Sequence, residues 1–210
     1  RIVDELGWDE FLKRAERAPK PPLQREWFEV AESLNEETSD RALAIVAAAF
    51  LDDVLGDLIA RRLASEDARA AERVLPRPGE FGRRIDLATC IGLVSPDEAG
   101  DLRTIKDIRN RFAHRSLSLS FDDHDIKSKC GALCVLKNAT TDGKPLDLSK
   151  WPTRDRFRLA VYALTSHLQM LIPTVPCLPS KKDGEWPFGH PLDHVDRWAQ
   201  GQEGAPPSAP

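Results

Sequence analysis

The chain has 210 residues, 41% hydrophobic and 30% charged, with a formal net charge of −4. That balance suits one ordinary globular domain with extra length at its ends, and it excludes a disordered chain. No apolar run approaches the ~20 residues of a membrane span, and the basic surplus of a protein built to grip duplex DNA is missing. Neither a membrane nor sequence-specific DNA is therefore an expected partner.

The first residues, Arg1-Ile2-Val3-Asp4-Glu5, hold no apolar signal core behind a basic head. An upstream targeting segment stays open. Four cysteines, Cys90, Cys130, Cys134 and Cys177, are too sparse for a disulfide scaffold and suit a reducing, cytoplasmic setting. Residues 1–35 form an N-terminal helical arm. Trp8, Phe11, Leu12 and Ala15 share one face, Leu23, Trp27, Val30, Ala31 and Leu34 another, and Pro19, Pro21 and Pro22 separate the two segments.

The core domain, residues 36–172, opens with Ser39 as N-cap of a helix running to about Leu63. Its stretch from Ala42 to Leu51 is almost entirely apolar, so it should be covered on several sides and act as the spine of a bundle. Asp52, Asp53 and Asp57 keep it a helix of a water-soluble core. A second helix, Ser65 to Leu75, stops at Pro76 and Pro78. A third, Glu80 to Ile91, turns Phe81, Ile85, Ala88 and Ile91 inward and ends at Gly92. Ser95-Pro96-Asp97-Glu98 is a complete start signal, with a capping serine, a first-turn proline and a glutamate that closes a capping box. The helix it begins should reach about Arg115. Asp122 and Asp123 read as the cap of a helix from Asp125 to about Cys134. Val135 to Trp151, with Asp142-Gly143, reads as a turn or short hairpin. A last amphipathic helix, capped at Thr153 and running to Leu171, lines up Phe157, Val161, Leu164, Leu168 and Leu171. Residues 173–210 are a Pro/Gly-rich tail. The fold class is all-α.

The helix from Asp97 to Arg115 carries the strongest functional signal. At 100° per residue, Leu102, Ile105, Ile108 and Phe112 form its buried stripe. Arg103, Lys106, Asn110 and His114 cluster opposite, and Arg109 lies at the boundary, where a partner helix can cover its stem. With Arg111 and Arg115, the residues Arg103 and Lys106 are candidate nucleic-acid contacts. Asn110 and His114, four apart, stack on one face, so the amide can orient the imidazole. Arg109 is about 140° around the helix from His114, and two antiparallel copies about a two-fold axis would bring one chain's Arg109 to the other's His114. Such a pair suits RNA cleavage. The imidazole takes the ribose 2′-hydroxyl proton, the guanidinium stabilises phosphorane-like charge, and no metal is required because the nucleophile is internal. DNA lacks that hydroxyl. The Arg–His spacing alone is a weak signal, and a histidine near a helix C-terminus is commonly just a favourable dipole partner.

Four ordered blocks add context. They are Ser39 to Asp52, Phe81 to Ala88 with Ile91 to Val94, Ile105 to His114, and Leu119 to Asp123. Together they resemble the mannitol-operon-repressor (MltR) family over about Glu36 to Leu133. The resemblance implies a helical fold related to HEPN domains, several of which are metal-independent ribonucleases of toxin and defence systems. Their Arg–polar–His site maps here onto Arg109, Asn110 and His114. The family name implies transcriptional regulation. The absence of a helix-turn-helix signal and the acidic charge depart from a simple DNA-reading repressor, so a protein partner is expected.

Other constellations carry less. Asp122, Asp123, His124 and Asp125 can bind a divalent ion in principle, but consecutive residues seldom point at one ion, and a helix cap explains them. Cys130 and Cys134 lack a second pair for zinc and read as small buried hydrophobes. His190, Asp193 and His194 sit in a Pro-rich stretch unsuited to a ligand cage. Asp40 and Arg41 should brace the Arg109 helix. No metal and no cofactor is expected. The leading expectation is a dimeric MltR-like regulator acting through protein partners. A HEPN-type endoribonuclease with a site shared across a homodimer, and so an RNA substrate, is the alternative. A catalytically silent interaction module is the third.

Overall fold

In the computed structural model the described residues are 34, 39–63, 73–114, 119–137, 139–141 and 144–178. The chain divides into two units, Arg1–Leu178 and Pro179–Pro210, and every described residue belongs to the first. The arm before Leu34, most of the helix expected from Ser65, Arg115, the Asp142-Gly143 turn and the His190/His194 stretch lie outside the described residues.

The spine, α1, runs Asp40–Leu63. Ser39 caps it as expected, with Oγ accepting from the Ala42 N–H at 3.4 Å. An aspartate in the first turn and Arg61 and Arg62 in the last complement the helix dipole. Leu43, Leu51, Leu55, Leu58 and Ile59 are fully buried, and so are Ala44 and Ala47 on neighbouring faces. A helix buried on so many sides has little amphipathic contrast, as the apolar run demands.

Helix α2, Phe81–Cys90, turns Phe81, Ile85 and Ala88 inward. It ends in a Schellman stop. Gly92 takes φ +71°, Leu93 N–H donates to Ala88 O at 2.8 Å, and Gly92 N–H to Thr89 O at 3.2 Å. Helix α3, Pro96–His114, is the motif helix. Its capping box closes in both directions: Glu98 Oε2 accepts from Ser95 N–H at 2.7 Å, and Ser95 Oγ from Glu98 N–H at 3.3 Å. Ala99, Leu102, Ile105, Ile108 and Phe112 are its buried face.

Helix α4 spans His124–Ala132 and α5 spans Thr153–Leu171. Both start where expected, but neither cap works as expected. Asp123 occupies the cap position without bonding its own helix; its carboxylate turns back to Ser120 N–H at 2.6 Å. Pro152 caps α5, and Thr153 is the first helical residue, its Oγ1 accepting from Arg156 Nη2 at 3.3 Å. Between the two helices lie short 3-10 turns, Cys134–Leu136 and Leu148–Lys150, and a minimal hairpin. In that hairpin β1 (Thr140–Thr141) pairs antiparallel with β2 (Lys144–Pro145), Thr140 opposite Pro145. The architecture is all-α.

α1 packs most extensively on α3 and α5, and α2 closes against α1 and α3. Phe121 lies between Phe112 and Phe157, with ring centroids 5.1 and 4.9 Å apart, and so welds the α3–α4 loop to α5. Buried Asp101 holds the first 3-10 turn by accepting from Cys134 N–H and Val135 N–H at 2.8 and 2.7 Å. After α5 the chain returns to the end of α1: Leu178 N–H donates to Arg62 O, and Arg62 Nη1 to Pro176 O. Among the described residues no helix is long and apolar enough to cross a membrane.

Candidate functional site

The second half of α3 is positioned from two sides. Its apolar stripe locks the rotation of the helix against α1. At its C-terminal end Arg41, from the first turn of α1, donates through Nη2 to Ala113 O at 2.9 Å. That bond satisfies one of the carbonyls a helix end leaves open and places a cation at the negative end of the dipole. Asp40, beside it, accepts from Phe121 N–H at 3.0 Å and pairs with Arg154 of α5. Arg41 therefore braces the motif helix as expected, whereas Asp40 holds the α3–α4 loop and α5 instead.

Arg109 and Asn110 are half-buried and hydrogen-bonded to each other, Arg109 Nη1 donating to Asn110 Oδ1 at 2.9 Å. The amide oxygen thus orients the guanidinium rather than the imidazole. His114, one turn on, is exposed. Arg109 and Asn110 line a cleft of about 540 Å³ that His114 does not line. One chain alone brings together two of the three motif residues.

The cleft has three walls. Ile45, Ala48, Ala49, Asp52 and Asp53 come from α1, Pro78 to Arg83 from the turn before α2 and its first residues, and Lys106, Arg109 and Asn110 from α3. Its acids are largely committed. Asp52 is buried, its carboxylate accepting from Gly79 N–H at 2.7 Å and from Arg84 Nη1 at 3.1 Å. Arg84 is buried too, donating further to Asp52 O and Pro76 O. Glu80 accepts from Arg77 N–H and pairs with Arg83. The Arg77 N–H above all, opposed by desolvation and aided by Arg83, holds its carboxyl below the ordinary range. The sequence patterns single out neither the α1 wall nor the Asp52–Arg84 pair. The available signal was an aspartate directly after a long apolar run, an expensive place for a charge without a partner.

Of the four candidate nucleic-acid contacts, two are neutralised within the chain. Arg103 pairs with Asp86 at 2.8 Å, and Arg111 pairs with Asp125. Lys106 lies in the cleft, and Arg115 is outside the described residues. The exposed face of α3 is therefore less cationic than its sequence suggests. Lys129 adds a further pair with Asp107 at 3.6 Å, and His167 meets Glu98 at 2.9 Å. Cys130 is buried as expected, but Cys134 is half-exposed, 3.5 Å from Lys137 Nζ.

No family model matches the sequence, and no curated protein matches it. Among solved structures, the fold matches a chain in the X-ray structure of the MtlR–HPr complex from Escherichia coli, with a TM-score of 0.54 and 20% sequence identity. The match covers 67% of this chain and 96% of that one. The helical architecture built around α1 and α3 is thus similar to a fold found in the MtlR–HPr complex.

Proposed function

We propose that this protein is an MtlR-like regulator that acts through a protein partner instead of reading DNA itself. The observation that carries this reading is the fold match, which extends over 96% of a chain from a complex between MtlR and HPr. The charge arrangement on α3 supports it. Arg103 and Arg111 are held by Asp86 and Asp125, which leaves the face of α3 outside the cleft poor in free cations for the phosphates of a duplex. Titration of the purified protein with Escherichia coli HPr, read by calorimetry, is expected to give saturable binding. Binding of operator-like duplex DNA by this chain alone at physiological salt would overturn the partner-dependent reading, and the absence of any HPr heat would remove HPr as the partner.

A second reading, a metal-independent endoribonuclease, has one observation in its favour. Arg109 is pre-oriented by Asn110 while His114 stands exposed a turn away. An exposed general base and a half-buried guanidinium on one helix suit a site completed by a second copy of the chain. RNA cleavage in EDTA, leaving 2′,3′-cyclic phosphate ends, tests it.

A further inference from the structure

The cleft between α1, α2 and α3 has an imbalance that the partner reading does not use. Among the described residues the third cation lining it, Arg83, is matched by Glu80, and the buried Arg84 behind it by Asp52. Lys106 and Arg109 line it, and among the described residues neither is paired with a carboxylate. Asp53, the remaining acid of the cleft, is 71% exposed and sits 4.0 Å from Arg84. The two cations are one turn apart on α3, so they project to the same wall. Arg109 is clamped through Nη1 by Asn110, which fixes the plane of the guanidinium and leaves its other N–H donors for a ligand.

Lys106 faces the start of α2. A Cβ built on Gly82 would lie 3.5 Å from Lys106 Nζ, so the ammonium rests over the first turn of that helix, and glycine keeps the space beside it open. That turn has no acidic residue, and its N-cap, Glu80, makes no side-chain cap bond. A cation held over the positive end of a helix is electrostatically unfavourable unless an anion lies between them. Opposite the cations, Ile45, Ala48 and Ala49 give an apolar wall. A cleft of about 540 Å³ is in the size range of small-molecule sites, in which an apolar lining carries a few convergent polar groups.

We propose that this cleft binds a small organic phosphate, its phosphate group on Lys106 and Arg109 and its carbon skeleton against Ile45, Ala48 and Ala49. Phosphate is favoured over carboxylate because it offers more charge and more acceptor oxygens to a guanidinium and an ammonium on one wall. The site rests on the geometry of the cleft and not on the regulatory reading, so it is tested with no partner protein present.

The test is calorimetric titration of the full chain at physiological salt with glycerol phosphate, inorganic phosphate, citrate and glycerol. Saturable binding of glycerol phosphate, with inorganic phosphate weaker and glycerol silent, is the expected result. Lys106→Gln and Arg109→Gln should each weaken it about tenfold or more, the usual effect of losing a charge-assisted hydrogen bond. Arg103→Gln, on the same helix but outside the cleft, should leave it unchanged. Circular dichroism melts of all three variants check that each is folded, and Lys106→Gln, which among the described residues removes no hydrogen bond given to a neighbour, keeps the test open if Arg109→Gln is damaged. Silence with both phosphates, equal loss in Arg103→Gln, or tighter binding of citrate than of glycerol phosphate would each overturn the proposal.

Discussion

Arg84 shows how much one buried cation can demand of its neighbours. Its guanidinium reaches Asp52 O, Asp52 Oδ1 and Pro76 O, and it lies over Gly56, where a Cβ would meet Cζ and Nη1 at 2.8 Å. Gly56→Ala would raise helix propensity by about 1 kcal/mol. With three acceptors holding the guanidinium, the clash cannot be relieved by a simple swing of the side chain. Breaking a buried pair typically costs about 3–5 kcal/mol, so the alanine variant is expected to lose about 2–4 kcal/mol in urea denaturation. Unchanged or raised stability would show that Arg84 moves aside freely. Cys130 makes a separate prediction. Burial pushes its thiol from 9.0 up to about 12, against a smaller opposing pull from Arg156. At pH 8 iodoacetamide should label exposed Cys90 and Cys177 well before Cys130, as peptide mass spectrometry would show. The folded pKa is raised, so the stabilising contribution is complete below pH 9 and is lost as pH climbs toward 12.

Helix ends separate what a sequence announces from what it hides. Ser39, Gly92 and the Ser95–Glu98 box are legible because each signal acts within about one turn on the backbone beside it. Ser95→Ala should therefore cost roughly 1 kcal/mol in thermal or urea unfolding, with Glu98→Ala comparable, since that residue also meets His167. Asp123 sits at the cap position but bonds Ser120 N–H, and Thr153 falls one residue inside its helix and bonds Arg156, because the loop and the neighbouring side chain offer competing partners. The helical class follows from periodicity, and the role of α1 as spine from its nearly unbroken apolar run. The cleft does not, since its walls come from segments far apart in sequence. The Asp52–Arg84 contact spans 32 positions, and no local pattern encodes such a distance. The motif residues were legible by type. Their division, with Arg109 and Asn110 in the cleft and His114 outside it, depends on how α3 is rotated against α1.

For the whole molecule, that division makes assembly decisive. If a single chain held a complete ribonuclease site, Arg109 and His114 would have to converge in one place. Here Arg109 lines the cleft with Asn110, and His114 is exposed at the end of the helix. Under the ribonuclease proposal one chain's guanidinium would meet another's imidazole, and the chemistry becomes a test of symmetry. His114→Ala should abolish RNA cleavage with little effect on stability, since the side chain is exposed; loss of a general base typically costs ~10²–10⁴ in rate. Arg109→Ala should abolish it too. Mixing the two inactive variants, after subunit exchange, rebuilds one intact Arg109–His114 pair in each heterodimer. A shared site predicts recovery of up to about half the activity per heterodimer, because one of its two symmetric sites is whole. Light scattering on the same mixture should report a dimer at micromolar concentration. Persistent inactivity of a mixture shown to exchange would argue against a shared site. Undiminished cleavage by the Arg109→Ala, His114→Ala double variant would trace the activity to a contaminant. A wild-type protein that cuts no RNA, yet still titrates with HPr, would leave the regulator as the function of this fold.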